Sequence, residues 1–307
     1  MPDRTIGPGT AANKLCGVPT ASLPRTEQPA QRRDQSRFAR RATLRRSLRL
    51  LTSFRFEQSD PGRFYGGIAT DSADLIGDFY ADIAGRDLTD TVVLDVGGGP
   101  GYFADEFAAA GARYVSVEPD PSEMHAAGLR VAGSVRGSGM ALPFRDDAFD
   151  VCFSSNVAEH VPQPWVMAEE MVRVTKPGGL IVFSYTVWHG PFGGHETGLW
   201  HYLGGEYAAR RYRRKHGREP KNRFGRSLFA VTAADGLRWA ATTSADVRTI
   251  FPRYHPSWAW WLVRIPVIRE LLVSNLVVVA TKRDQASQLS RRDLRTGAGS
   301  ALAHGDS

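Results

Sequence analysis

Between Leu94 and Phe103 the chain reads LDVGGGPGYF, an apolar run that passes through a carboxylate into four glycines. Glycines at the end of a strand, with a helix behind them, let the backbone come close to a ligand, and the first N–H groups of that helix carry partial positive charge. This arrangement suits a nucleotide-like cofactor. From Gly99 the residues satisfy G-x-G-x-x-A, and Glu118 ends the next apolar run with an acid for a ribose, so a dinucleotide is one reading. Asp95 argues for another ligand: a carboxylate beside a pyrophosphate is repelled, whereas beside an ammonium group it is attracted, directly or through water. An NAD(P)-dependent oxidoreductase, a transferase with an amino-acid nucleotide cofactor and a non-enzymatic cofactor-binding or interaction protein all remain open on these residues.

Two further blocks follow in order, ALPFRDDAFDVCFSSNVAEHV from Ala141 and VTKPGGLIVFS from Val174. Together with LDVGGGPG they make the sequence resemble the class I S-adenosylmethionine-dependent methyltransferases, in particular the small-molecule branch called type 11. The resemblance covers residues 90 to 186. It implies an α/β fold with a Rossmann-like, seven-stranded sheet, mostly parallel with an antiparallel last strand and helices on both faces. It implies S-adenosylmethionine as cofactor, with Asp95, Gly97, Gly99 and Gly101 beside the methionine part and Glu118 on both ribose hydroxyls. Ser138 stands where the family usually has Asp for the adenine amino group, and Gly139 and Met140 line the base. Asn156, Glu159 and His160 would face the reactive sulfonium. His160 is the candidate general base, since an unperturbed imidazole near pKa ~6.5 takes a proton at neutral pH; the alternative is a ring packed beneath the site. Base-modifying relatives carry an Asn/Asp-Pro-Pro-aromatic turn after strand four, and SSNVAEHV lacks it, so no specific nucleic-acid substrate is expected.

The acceptor side would come from residues before the first strand and from an insertion over 187–230. Trp188, His189, His195, Glu196, Trp200, His201 and Tyr202 could line a pocket there. His195, Glu196 and His201 have no compact H-E-x-x-H or repeated Cys/His spacing, so no metal is expected. Farther on, Trp258, Trp260 and Trp261 cluster with Val263, Ile265, Val267 and Leu271, either as core or as a greasy acceptor mouth or membrane-interface contact.

These residues need elements to hold them. Periodicity predicts helices around Phe38, Leu44, Leu48 and Leu51 and from an Asp71 cap through Leu75, Ile76, Phe79 and Ile83. From residue 91 short apolar strands alternate with helices, as in βαβ units. The expected organisation is a mobile tail over 1–36, a helical cap over 37–90, a catalytic domain over 91–283 and a second tail over 284–307. At 307 residues and 42% hydrophobic, the chain can bury a sizeable core. Its net charge of +7 lies in the ends: +9 over residues 1–56, +2 over 282–307 and −4 between, although 210–226 alone carries +8. That run is a solvated surface or a site for an anionic partner, and the basic tails could contact RNA or anionic lipid non-specifically. Cys16 and Cys152 are too few for a disulfide framework, and no signal-type or membrane-spanning run is present, so a cytoplasmic protein with free thiols is expected.

Overall fold

The computed structural model describes residues 36–56, 59–124 and 133–284. Apart from Ser36 and Asp284, the two expected tails lie outside them. So does most of the helix expected after Pro121. The strands are β1 (Val92–Val96), β2 (Arg113–Glu118), β3 (Ser134–Arg136), β4 (Phe149–Ser155), β5 (Thr175–Thr186), β6 (Asp246–Pro252) and β7 (Asn275–Thr281). They form one sheet in the order β3-β2-β1-β4-β5-β7-β6. Neighbours from β3 to β5 are parallel, and β7 runs antiparallel to both β5 and β6. The expected Lys176-Pro-Gly-Gly turn is a register shift within β5, where Thr175 pairs with Phe149 and Leu180 with Val151.

Side chains alternate across a pleated strand, so a sheet covered on both faces needs apolar residues at successive positions. Leu94, Cys152, Ile181, Phe183 and Val278 join one cluster with Met167, Met171 and Trp239. Val93, Val151, Phe153, Val182 and Val277 join the other, with Phe64, Ile76, Phe79 and Phe107. The first cluster is closed by α6 (Pro164–Val174) and α8 (Ala233–Thr242), the second by α1 (Arg37–Arg41), α2 (Leu44–Ser53), α3 (Pro61–Ala84) and α4 (Ala104–Ala109). Short helices α5 (Pro121–Met124) and α9 (Ile268–Leu272) and the longer α7 (Gly205–His216) complete the set. Helices α1, α2 and α3 thus share a core with the sheet. Among the described residues no helix is long and apolar enough to cross a membrane.

Three expectations need correction. Helix α3 starts ten residues before Asp71, at Pro61, with the Asp60 carboxylate accepting the Arg63 N–H. Asp71 is buried mid-helix, where its two oxygens take the Arg46 guanidinium at 2.7 and 2.8 Å and one of them also takes Arg253 at 3.2 Å. The Leu44, Leu48 and Leu51 stripe faces outward, because α2 turns Leu50, Ser47 and Arg46 to the core instead. The tryptophan cluster splits: Trp260 stacks on Phe251 at 4.3 Å, whereas Trp258 and Trp261 are exposed.

Candidate functional site

The strand β1 delivers its chain into the glycine turn at the C-terminal edge of the sheet. Gly97 and Gly99 have φ of 82° and 50°, the left-handed region that side chains disfavour. A Cβ on Gly97 would come within 2.6 Å of the Val157 methyls, so the turn is pressed against the loop after β4. A Cβ on Gly99 would meet nothing within 4 Å, and this is where the turn opens. Across it stands Glu118, last residue of β2. Its carboxylate accepts the Gly99 N–H at 3.3 Å and the Asp120 N–H at 3.1 Å. Burial raises its pKa, while those two N–H groups pull it down.

Asp95 lies beneath the turn rather than on it, fully buried, with the Tyr114 hydroxyl donating to Oδ2 at 2.6 Å. Burial pushes this carboxyl up to about 7, against the pull of the Tyr114 hydroxyl and with a smaller push from Glu118. Such a group sits on the edge of ionisation at neutral pH, and a cation brought nearby would favour its charged form. The Ser138–Met140 turn packs beside the same edge: Ser138 Oγ accepts the Met140 N–H at 3.2 Å, and a Cβ on Gly139 would run into Met167 and Val96. Ser138 keeps its own O–H to donate. Asn156 ends β4 with φ of 58°, its N–H bonded to the Ser184 carbonyl and its Oδ1 accepting from Asn275 at 2.6 Å. Asn tolerates this conformation better than most side chains.

The loop after Asn156 carries a buried carboxylate. Glu159 Oε1 accepts the Thr186 N–H at 3.1 Å, and Oε2 is buried with no partner. His160 Nδ1 lies 2.7 Å from the Ser227 carbonyl oxygen. A carbonyl only accepts, so Nδ1 carries the proton and Nε2 holds the free lone pair. Beside it, 5.0 Å between ring centroids, is His195 from the insertion. Burial, with His160 adjacent, pushes the His195 imidazole down to about 4.

The insertion's other candidates are elsewhere engaged. The Glu196 carboxylate takes the Asn222 backbone and side-chain N–H groups at 2.8 and 2.9 Å. His201 bonds the Gly198 carbonyl at 2.8 Å and packs edge-on against Trp188. Burial opposes ionisation of Glu196, but the Asn222 bonds outweigh it and hold its pKa below the usual carboxylate range. Thus His195 is separated from its sequence neighbours and joined to Glu159 and His160. No local spacing displays that grouping, because 34 residues lie between His160 and His195 in the chain. Aromatic rings complete the surroundings. Tyr65 of α3 stacks on Tyr102 of the glycine turn at 5.1 Å, and Phe54 stacks on Phe192 of the insertion at 4.0 Å. Phe54 also meets Tyr254 edge-on. Cys152 is fully buried and its thiol is pushed up, away from nucleophilic use.

Comparison with known proteins adds the family. A methyltransferase-domain family model matches residues 94–183. An uncharacterized methyltransferase of Mycobacterium marinum is 62% identical over 251 residues, spanning 80% of this chain and 98% of its own. Another, from Mycobacterium tuberculosis H37Rv, is 64% identical over 248 residues, spanning 80% and 97%. Among solved structures, a geranyl diphosphate C-methyltransferase from Streptomyces coelicolor A3(2) is 17% identical, covers 67% of this chain and 78% of its own, and has a TM-score of 0.44.

Proposed function

The chain belongs to the class I methyltransferases of the type 11 family, and from that premise we propose that it is a cytoplasmic enzyme moving the methyl group of S-adenosylmethionine to a small, apolar or lipid-like acceptor. Membership removes the oxidoreductase and non-enzymatic readings that the glycine turn alone leaves open. The observation that carries the cofactor assignment is the pairing of an open Gly99 with Glu118 across the turn. A Cβ-free gap bordered by a carboxylate at a strand end fits a ribose diol, which can donate two hydrogen bonds to that carboxylate. Gly97, Gly101 and the buried Asp95 would border the methionine part. Ser138, Gly139 and Met140 would border the adenine, and Asn156 would stand near the sulfonium.

When bound, the cofactor supplies an already activated methyl group, so the protein's task is alignment and exclusion of water. The stacked pairs Tyr65–Tyr102, on the glycine turn, and Phe54–Phe192, on the insertion, bring aromatic surface to the parts of the chain from which the acceptor side is expected, which supports an apolar acceptor. His160 Nε2, with its lone pair free, is the candidate to take the acceptor's proton.

Calorimetric titration with S-adenosylhomocysteine tests the cofactor site. We expect saturable binding, reduced at least about tenfold by Glu118→Ala and abolished by Gly99→Val, because a valine there both strains the left-handed backbone and fills the gap. Binding of NAD(P) in place of S-adenosylhomocysteine, or full affinity in Gly99→Val, would overturn the assignment.

A further inference from the structure

We propose that Glu159, His160 and His195 form a binding site for one divalent transition-metal ion, zinc by preference, beside the methyl-donor turn. Among the described residues this is the group whose ligand atoms all lie within 4.8 Å of one another. Two of those residues carry buried polar atoms with no partner, Glu159 Oε2 and His195 Nε2. Leaving a carboxylate oxygen buried and unpaired is costly. Glu159 is only 2% exposed, so water has little access to relieve it. A cation shared with two imidazoles would satisfy both atoms at once.

The remaining hydrogen bonds are those that orient ligands. The Ser227 carbonyl fixes the His160 tautomer with Nε2 as the free nitrogen, and the Thr186 N–H holds Glu159 by its other oxygen. Partners of this kind set ring and carboxylate orientation in metal sites. His195 is presented by a backbone with φ of 46°, a conformation uncommon outside glycine and frequent at functional positions. Metal–ligand distances of about 2.0–2.2 Å require donor atoms about 3.4 Å apart in tetrahedral geometry. The atoms therefore need to draw in by up to about 1.4 Å, through small side-chain adjustments on binding.

Two imidazoles and one carboxylate match a catalytic zinc set that keeps a position open for water or substrate. Val157, two residues before Glu159, packs on Gly97, so the loop that carries Glu159 and His160 borders the donor turn. The role there rests on the methyl-transfer reading: an acceptor hydroxyl bound to the ion would release its proton to water more readily, leaving an oxygen able to take the methyl group. His160 would then act as a ligand and not as the base.

The test uses the tag-free full-length protein, stripped with a chelator and titrated with Co2+ followed by visible d–d absorption, then with Zn2+ in competition. One equivalent should bind, Zn2+ should displace it, and Glu159→Gln and His195→Ala should each weaken binding at least about tenfold. X-ray absorption of the zinc-loaded wild type should show two imidazole ligands, a result that does not depend on whether the variants fold. Absence of stoichiometric binding, an absorption spectrum without imidazoles, or unchanged affinity in a folded His195→Ala variant would overturn the site. S-adenosylhomocysteine calorimetry on the same sample separates the readings. S-adenosylhomocysteine binding without metal binding sinks the metal site alone; metal binding without it leaves the site standing and removes its role beside the donor.

Discussion

With Asp95 held by Tyr114 at the proposed cofactor site, ligand affinity should depend on pH in a defined direction. The folded protein holds the Asp95 proton up to about pH 7, whereas the unfolded chain releases it near pH 4. The ligand-free fold therefore binds more protons than the unfolded chain between those values and loses stability as pH rises through them. Affinity for a ligand bearing an ammonium group runs the other way, rising with pH until Asp95 is ionised and flattening above about 7, by up to roughly tenfold per unit below it. The Tyr114 hydroxyl favours the carboxylate, so Tyr114→Phe should shift the inflection to higher pH and weaken binding at pH 7. Calorimetry from pH 6 to 8.5 on both proteins checks this, and a flat profile in both would remove Asp95 from the site. The positions of Asp95, the glycines and Glu118 at strand ends were legible in the sequence, since the apolar runs mark those ends. The shielding of Asp95 by Tyr114 was not, because the two meet across neighbouring strands rather than along one.

At the level of elements, α3 is tied to the sheet by charge as well as by apolar packing. Asp71 lies between two buried arginines, Arg46 of α2 and Arg253 just after β6, and Arg253 also donates to Ser155 at 2.9 Å, next to Asn156. Removing the one anion would leave two cations uncompensated, a loss of about 3 to 5 kcal/mol for a buried pair. Asp71→Ala should therefore lower the denaturation midpoint sharply, and Asp71→Asn should recover only part of it. Midpoints within error of wild type would show that the arginines find water instead. The sequence offered Asp71 as a helix cap because it precedes an apolar stripe; the stronger signal was Asp60-Pro61, a capping acid with proline at the first helical position. The same logic failed for α2, where leucines at helical spacing suggested the buried face although Arg46 and Ser47 occupy it. Periodicity finds a stripe but cannot say which side a tertiary ion pair will claim. The seven strands and the antiparallel last one, by contrast, were implied by the family resemblance that the ordered blocks carry.

At the scale of the molecule, the total of +7 conceals a local concentration of charge. Helix α7 carries Arg210, Arg211, Arg213, Arg214 and Lys215, and the segment just before it exposes Leu199, Trp200 and Leu203. Arg211 lies over the Trp200 ring at 3.8 Å. Basic and apolar groups side by side are what an anionic lipid surface attracts, at about 1 kcal/mol for each cation near the headgroups. Sedimentation with vesicles should recover the protein on phosphatidylserine-containing membranes and not on phosphatidylcholine alone. Leu203→Asp combined with Arg214→Glu should cut that fraction at least about fivefold, and equal recovery of both proteins would argue against a lipid contact. The position of β7 has a consequence of another kind. It lies between β5 and β6 yet is the last of the seven to be made. Emerging from the ribosome, β6 has no sheet neighbour and β5 presents an open edge until residues 275–281 are available. The sheet must close from its middle at the end of synthesis, and a nascent chain halted before Asn275 should be protease-sensitive and prone to edge-to-edge association, while one extended past Thr281 resists digestion.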